Sequence, residues 1–158
     1  MKNIDKADKD LFWMKEALAL AKKSLDNGEV PIGAVIVKNQ KLISSAFNMP
    51  ITTCDPTAHA EILALRKAGQ LIKNYRLPDT TLYTTIEPCT MCIGAMIHAR
   101  ISRLVFGATE PKAGAVVSCL KIPEMFHYNH KLQVKGGVMA EEAKKLIIDF
   151  FKMKRGPR

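Results

Sequence analysis

The chain is predicted to fold as one α/β domain with helices layered on a sheet. Three observations lead there. Helical and strand-like periods follow one another in the order helix, two strands, helix, strand, helix, strand, loop and helix. The strand–helix–strand run in the middle implies a right-handed crossover between parallel strands. The 158 residues fit one domain, with no repeat, low-complexity tract or linker to divide them. Residues 1–158 are therefore read as a single domain, with a flexible start at 1–10 and a flexible basic tail at 156–158.

Each element has its own signal. Leu11, Met14, Leu18, Ala21 and Leu25 line one helical face, and Gly28 is placed to end that helix. Gly33 to Lys38 and Lys41 to Phe47 are short and β-rich, with Asn39-Gln40 as a hairpin turn. Asp55-Pro56 is read as the start of a second helix, with Ala58, Ile62 and Leu65 on one face and Gly69 closing it. Thr80 to Thr85 is β-branched and aromatic, hence a strand. Glu87-Pro88 opens a third helix to about Ala99, apolar on nearly every side and so expected to be buried. Ile101 to Gly107 is a strand, 112–129 is irregular, and Leu132 to Val134 is a short strand. Ala140 to Arg155 forms a last amphipathic helix, apolar at Ala143, Leu146, Ile147 and Phe150.

Composition narrows the class. With 47% hydrophobic and 25% charged residues the chain reads as globular rather than disordered. No apolar run reaches the ~18 residues of a membrane span. The polar start Met1 to Asp10 lacks a signal-peptide core, so a cytoplasmic location is expected. Reducing surroundings disfavour disulfides, and a close cysteine pair then points to metal or redox chemistry. The net charge of +9 attracts polyanions, nucleic acid above all, although solubility alone is an alternative reason for it.

Chemistry concentrates in Thr57-Ala58-His59-Ala60-Glu61 and Glu87-Pro88-Cys89-Thr90-Met91-Cys92. Cys89 and Cys92, three apart near a helix start, share a face where the helix dipole favours thiolates. His59 is read into the first turn of its own helix. One nitrogen and two sulfur donors leave one position of tetrahedral zinc open, which marks a catalytic rather than a structural site. Zinc lowers the pKa of water in that position to about 7. Glu61, two residues past His59, lies near the metal without binding it and is expected to move protons. Each residue alone has a bland reading, as a core histidine, a structural cysteine pair or a solvated glutamate. Together they match the H-x-E and P-C-x-x-C signature of zinc deaminases. Cys54 and Cys119 are expected to be small packing residues, with a place at the pocket mouth as the alternative for Cys54; His98 is expected to be a satisfied core group or a support behind the metal ligands, and His127 and His130 surface residues.

At wider range the sequence resembles the bacterial tRNA-specific adenosine deaminases, within the cytidine/deoxycytidylate deaminase superfamily. The likeness runs from about Phe12 to Arg155. Beyond the metal motifs it rests on 28–34 (GEVPIGA), Asn48, 74–77 (NYRL), 94–100 (GAMIHAR), 105–108 (VFGA), Asn129-His130 and 149–153 (DFFKM). It implies a three-layer α/β/α cytidine-deaminase-like fold with a five-stranded mixed sheet, one Zn2+ per subunit and a homodimer. It also implies conversion of the wobble adenosine to inosine in the anticodon stem-loop of an arginine tRNA. Asn48 would then hydrogen-bond the flipped adenine, Val30 would line the same pocket, and the Cys89 backbone amide would help hold the attacked group. Glu110 stands where the family has Asp against the nucleotide backbone. Thr109 stands where Arg is frequent, so that one phosphate contact is either missing or moved to Lys112. Lys152, Lys154, Arg155 and Arg158 are expected to grip the RNA loop, with stabilisation of the helix C-terminus as the alternative. Of Phe150 and Phe151, one is expected in the core and the other free to stack on a base.

Two rivals share these motifs. A deaminase of free guanine or another small base has the same metal site and differs only in the pocket wall. A non-catalytic RNA-binding zinc module would be expected to have lost Glu61, which is present.

Overall fold

A computed structural model describes residues 5–125 and 128–157. Helix α1 (Lys6–Asp26) is followed by β1 (Gly33–Lys38), β2 (Lys41–Phe47), a short α2 (Pro50–Thr53), α3 (Ala60–Ile72) and β3 (Thr81–Ile86). Then come α4 (Thr90–His98), β4 (Arg103–Ala108), a 3-10 turn (Ile122–Glu124), β5 (Gln133–Lys135) and α5 (Ala140–Arg155). The five strands lie in the order β2-β1-β3-β4-β5. The β2/β1 and β1/β3 pairs are antiparallel, and β3/β4 and β4/β5 are parallel, so the sheet is mixed as expected.

Both faces of the central strands are covered, which explains why GAVIVK reads as a continuous apolar run. Ala34, Ile36, Leu82, Leu104 and Phe106 face α3 and α4. Val35, Val37, Tyr83 and Val105 face α1 and α5. The result is an α/β/α sandwich, and none of its described helices is long and apolar enough to cross a membrane. The hairpin turn forms as predicted, with Asn39 and Gln40 at φ 51° and 59°, both positive as a tight right-twisting hairpin requires.

Several boundaries differ from expectation. The stretch read as a flexible start is helical from Lys6, and Asp10 within it is fully buried. Its carboxylate accepts two bonds from Arg103 at 2.6 and 2.7 Å, one from Lys135 at 3.0 Å and one from the Tyr83 hydroxyl at 2.9 Å. Asp55-Pro56 does not open α3. Proline starts a helix six residues before Pro56, at Pro50, and that turn ends on Cys54 in the left-handed region. Asp55 instead folds back on Thr57, accepting from its N–H at 2.8 Å and its hydroxyl at 2.7 Å. Gly69 lies inside α3, which ends on Lys73 at φ 59°. The short strand expected at Leu132 to Val134 sits one residue later, and α5 has the predicted bounds. His127 and Arg158 fall outside the described residues.

Candidate active site

Two helix starts converge on one point. His59 is the residue before α3 and Cys89 the residue before α4, both with extended backbone, so each is a cap rather than part of a first turn. Cys92 lies in the first turn of α4 and is fully buried. The partial positive charge at both helix starts favours thiolates here. His59 Nδ1 lies 3.6 Å from Cys89 Sγ and 3.5 Å from Cys92 Sγ. The three donor atoms all fall within 4.8 Å of one another.

These distances test the donor set against a metal. With Zn–N near 2.0–2.1 Å and Zn–S near 2.3 Å, the nitrogen–sulfur edge of a tetrahedron is about 3.6 Å long. The two observed separations match that edge, so the residues fit zinc. Among the described residues the candidate metal-holding group is His59, Cys89 and Cys92, with no carboxylate in it, which leaves one coordination position open.

Glu61 lies beside this group, on the first turn of α3, at 3% exposure. The Thr84 hydroxyl on β3 donates to its Oε1 at 3.0 Å, and the Cys92 thiol approaches Oε2 at 3.6 Å. Burial pushes the Glu61 pKa above its ordinary value, against the pull of nearby His59. The His59 pKa is raised, chiefly by its bond to Cys89. The bond from Cys92 brings Cys89 down to about 4, while the same bond and burial push Cys92 up. A bound cation would take both as thiolates.

The three residues expected to meet substrate are fastened to the segments that carry the metal donors. Asn48 is 5% exposed, and its Oδ1 is the one buried side-chain atom without a hydrogen-bond partner among the described residues. An unpaired buried acceptor is costly unless a ligand completes it. The next residue, Met49, donates its N–H to the carbonyl of Ala58, which precedes His59, at 3.0 Å. Val30 is half-buried. Its carbonyl and that of Asn48 share one donor, the buried Ser24 hydroxyl, at 2.9 and 3.0 Å. Glu110 donates its N–H to Glu87 Oε2 at 2.9 Å, two residues before Cys89, and its own Oε1 accepts from Lys112 N–H at 2.9 Å.

Sequence reading missed Ser24, Thr84, Glu29 and Glu87 as parts of this site. Glu29 is buried and binds the N–H and hydroxyl of Thr52 at 2.7 and 3.0 Å, holding α2 against the Val30 loop. Burial raises the Glu87 pKa, but bonds from the Ser118 hydroxyl and from backbone N–H groups outweigh it, so the carboxyl stays below its usual range. A usable signal existed for Glu87, an acid directly before the Pro88-Cys89 step, although it reads first as a helix start. Other expectations are corrected. His98, the last residue of α4, is exposed rather than a core group. Cys54 and Cys119 are exposed rather than packed, because each lies in a surface turn. His130 is half-buried and its Nε2 donates to the Ile101 carbonyl at 2.6 Å. Phe150 is core at 4% exposure, while Phe151 is 46% exposed.

Comparison with known proteins agrees with this geometry. The family described as the cytidine and deoxycytidylate deaminase zinc-binding region matches residues 7–108. The tRNA-specific adenosine deaminase of Haemophilus influenzae is 48% identical over 147 residues, covering 92% of this chain and 85% of that protein. A structure solved in studies of A-to-I editing by tRNA:A34 deaminases at the wobble position of transfer RNA superposes with a TM-score of 0.83 at 39% identity, covering 85% of this chain and 98% of that one. The guanine deaminase of Bacillus subtilis superposes less completely, with a TM-score of 0.61 at 42% identity over 62% of this chain and 63% of that one. The chain belongs to the cytidine and deoxycytidylate deaminase family of zinc-binding hydrolytic enzymes, and within it to the group of the tRNA-specific adenosine deaminases.

Proposed function

We propose that this chain converts the wobble adenosine in the anticodon loop of an arginine tRNA to inosine, as a homodimer with one zinc ion per chain. The observation that carries the reading is the pairing of a three-donor metal group with a buried, non-ligating Glu61 and an unpartnered Asn48 Oδ1. The extent of likeness to the tRNA-specific enzyme supports RNA over a free base as substrate.

His59, Cys89 and Cys92 would hold the zinc, which when bound supplies an acidified water at neutral pH. Glu61, its pKa raised by burial, would accept a proton on its carboxylate from water at the open position and pass it to the ring nitrogen beside the attacked carbon. It would then take the proton of the hydroxyl newly bonded to that carbon and pass it to the departing amine as the C–N bond breaks, so that adenosine and water become inosine and ammonia. Thr84 keeps the Glu61 carboxyl turned toward the site throughout. Asn48 Oδ1 accepts a hydrogen bond from the flipped base, Val30 walls the pocket, and Glu110 contacts the nucleotide backbone. A loop adenosine suits such a site, because unstacking it costs less than opening a duplex.

The test is incubation with an arginine tRNA transcript and, separately, with free guanine. Inosine should arise at the wobble position alone, read as adenosine-to-guanosine changes on reverse transcription. Glu61→Ala should keep its zinc and lose deamination by roughly 10²- to 10⁴-fold. Turnover of guanine with none of the tRNA would replace this reading with the small-base one. Undiminished editing by Glu61→Ala would remove Glu61 from the chemistry.

A further inference from the structure

Outside the metal group, the densest convergence of polar bonds among the described residues is on one buried carboxylate, Glu87, at 2% exposure. Its Oε1 accepts the backbone N–H groups of Val116, Val117 and Ser118 at 3.1, 2.7 and 2.9 Å. Its Oε2 accepts the N–H of Glu110 at 2.9 Å and the hydroxyl of Ser118. Every one of these donors belongs to the loop that leaves β4. Glu87 itself stands between the end of β3 and the Pro88-Cys89 step, and the Pro88 carbonyl accepts from Ala115 of the same loop at 2.9 Å. The space is built around this carboxyl. A Cβ added at Gly114 would lie 2.4 Å from both Glu87 Cδ and Oε2, and no positive φ calls for glycine there.

We infer that Glu87 is a positioning residue, which pins the 109–118 loop, and Glu110 with it, to the turn that presents Cys89. The wall that meets the nucleotide is thereby kept in register with the metal donors. This rests on the proposal that Glu110 contacts the nucleotide.

The chemistry of the side chain makes the inference specific. An ionised carboxylate only accepts, and here it faces five donors. Glutamine keeps one carbonyl oxygen, which stays with the three N–H groups of residues 116–118. Its NH2 then faces Glu110 N–H and Ser118. The Ser118 hydroxyl can rotate to accept, whereas the Glu110 N–H cannot. Glu87→Gln should therefore release Glu110 first.

The experiment uses the zinc-loaded enzyme and an anticodon stem-loop RNA. In Glu87→Gln, amide hydrogen exchange at Glu110 should quicken by roughly tenfold, with smaller changes at residues 116–118. KM for the RNA should rise roughly tenfold while kcat falls less than about threefold, with zinc content unchanged. Gly114→Ala, whose Cβ would press on the Glu87 carboxyl and, at 2.5 Å, on the Glu110 carbonyl itself, should raise KM in the same direction. Unchanged exchange at Glu110 in Glu87→Gln would overturn the inference. So would loss of zinc and kcat with KM unmoved, which would make Glu87 a support of the metal turn alone. If wild-type enzyme edits no RNA, the substrate reading fails, and the exchange at Glu110 still decides whether Glu87 holds the loop.

Discussion

Among the described residues four carboxylates are buried, at Asp10, Glu29, Glu61 and Glu87, and their surroundings give them different work. Glu61 has one hydroxyl partner and a raised pKa, which suits a group that exchanges protons. Asp10 is the opposite case. Burial pushes its pKa up, but bonds from Arg103, Lys135 and Tyr83 outweigh this and bring it to about 2 from 3.8. Its folded pKa lies below its unfolded one, so its stabilisation is present above about pH 4 and lost as pH falls through about 2. The size is about 2 kcal/mol, taking 1.36 kcal/mol per pKa unit. Asp10→Asn should cost about that much at pH 7 in urea unfolding, and the gap to wild type should narrow between pH 4 and 2. A gap independent of pH would assign the loss to packing. Glu61 was legible in the sequence because its partner His59 is two residues away. Asp10 was not, because Tyr83, Arg103 and Lys135 lie 73, 93 and 125 residues further on.

At the scale of elements, what could be read was set by local signals. The hairpin, the parallel β3-α4-β4 crossover and α5 all announce themselves through period and flanking residues. The start of α3 did not, because Asp55-Pro56 mimics a helix opening while its side-chain bonds to Thr57 close a separate turn. That turn delays the helix to Ala60, so His59 sits on the cap with its ring toward α4. The packing of α1 on β1 was equally hidden, since it depends on a glycine whose use is space. A Cβ at Gly33 would stand 2.0 Å from the Ala17 carbonyl and 2.8 Å from both Ala21 N and Leu20 Cβ. Backbone cannot yield as a flexible side chain would, so α1 must move off the sheet. Gly33→Ala should destabilise by about 3 kcal/mol, a Tm drop of roughly 6–12 °C. The metal group lies on the other face of the sheet, so zinc binding per folded molecule should persist. A Tm within about 2 °C of wild type would mean that α1 slides without cost.

For the whole molecule, the sequence supplies the sum of charge but not its placement. The excess of 24 cationic over 15 anionic residues sets a field of one sign. Part of it gathers at the end of α5, where Lys152, Lys154 and Arg155 are all exposed beside the exposed Phe151. Two roles compete there. Cations at a helix C-terminus are favoured by the dipole whatever the protein binds. Cations that neutralise phosphates release counterions, which makes affinity fall with salt. The two separate cleanly by experiment. Binding of an anticodon stem-loop should weaken linearly in log–log form as salt rises, with a slope near −0.7 for each phosphate contacted in single-stranded RNA. Replacing Lys152, Lys154 and Arg155 together with Ala should reduce the magnitude of that slope by about 2 if all three touch the backbone. Because phosphate contacts carry no base information, affinity for matched and mismatched loops should fall alike. If the three serve only the helix, the triple variant should melt a few degrees lower with an unchanged slope, and the RNA footprint must then lie elsewhere on the basic surface.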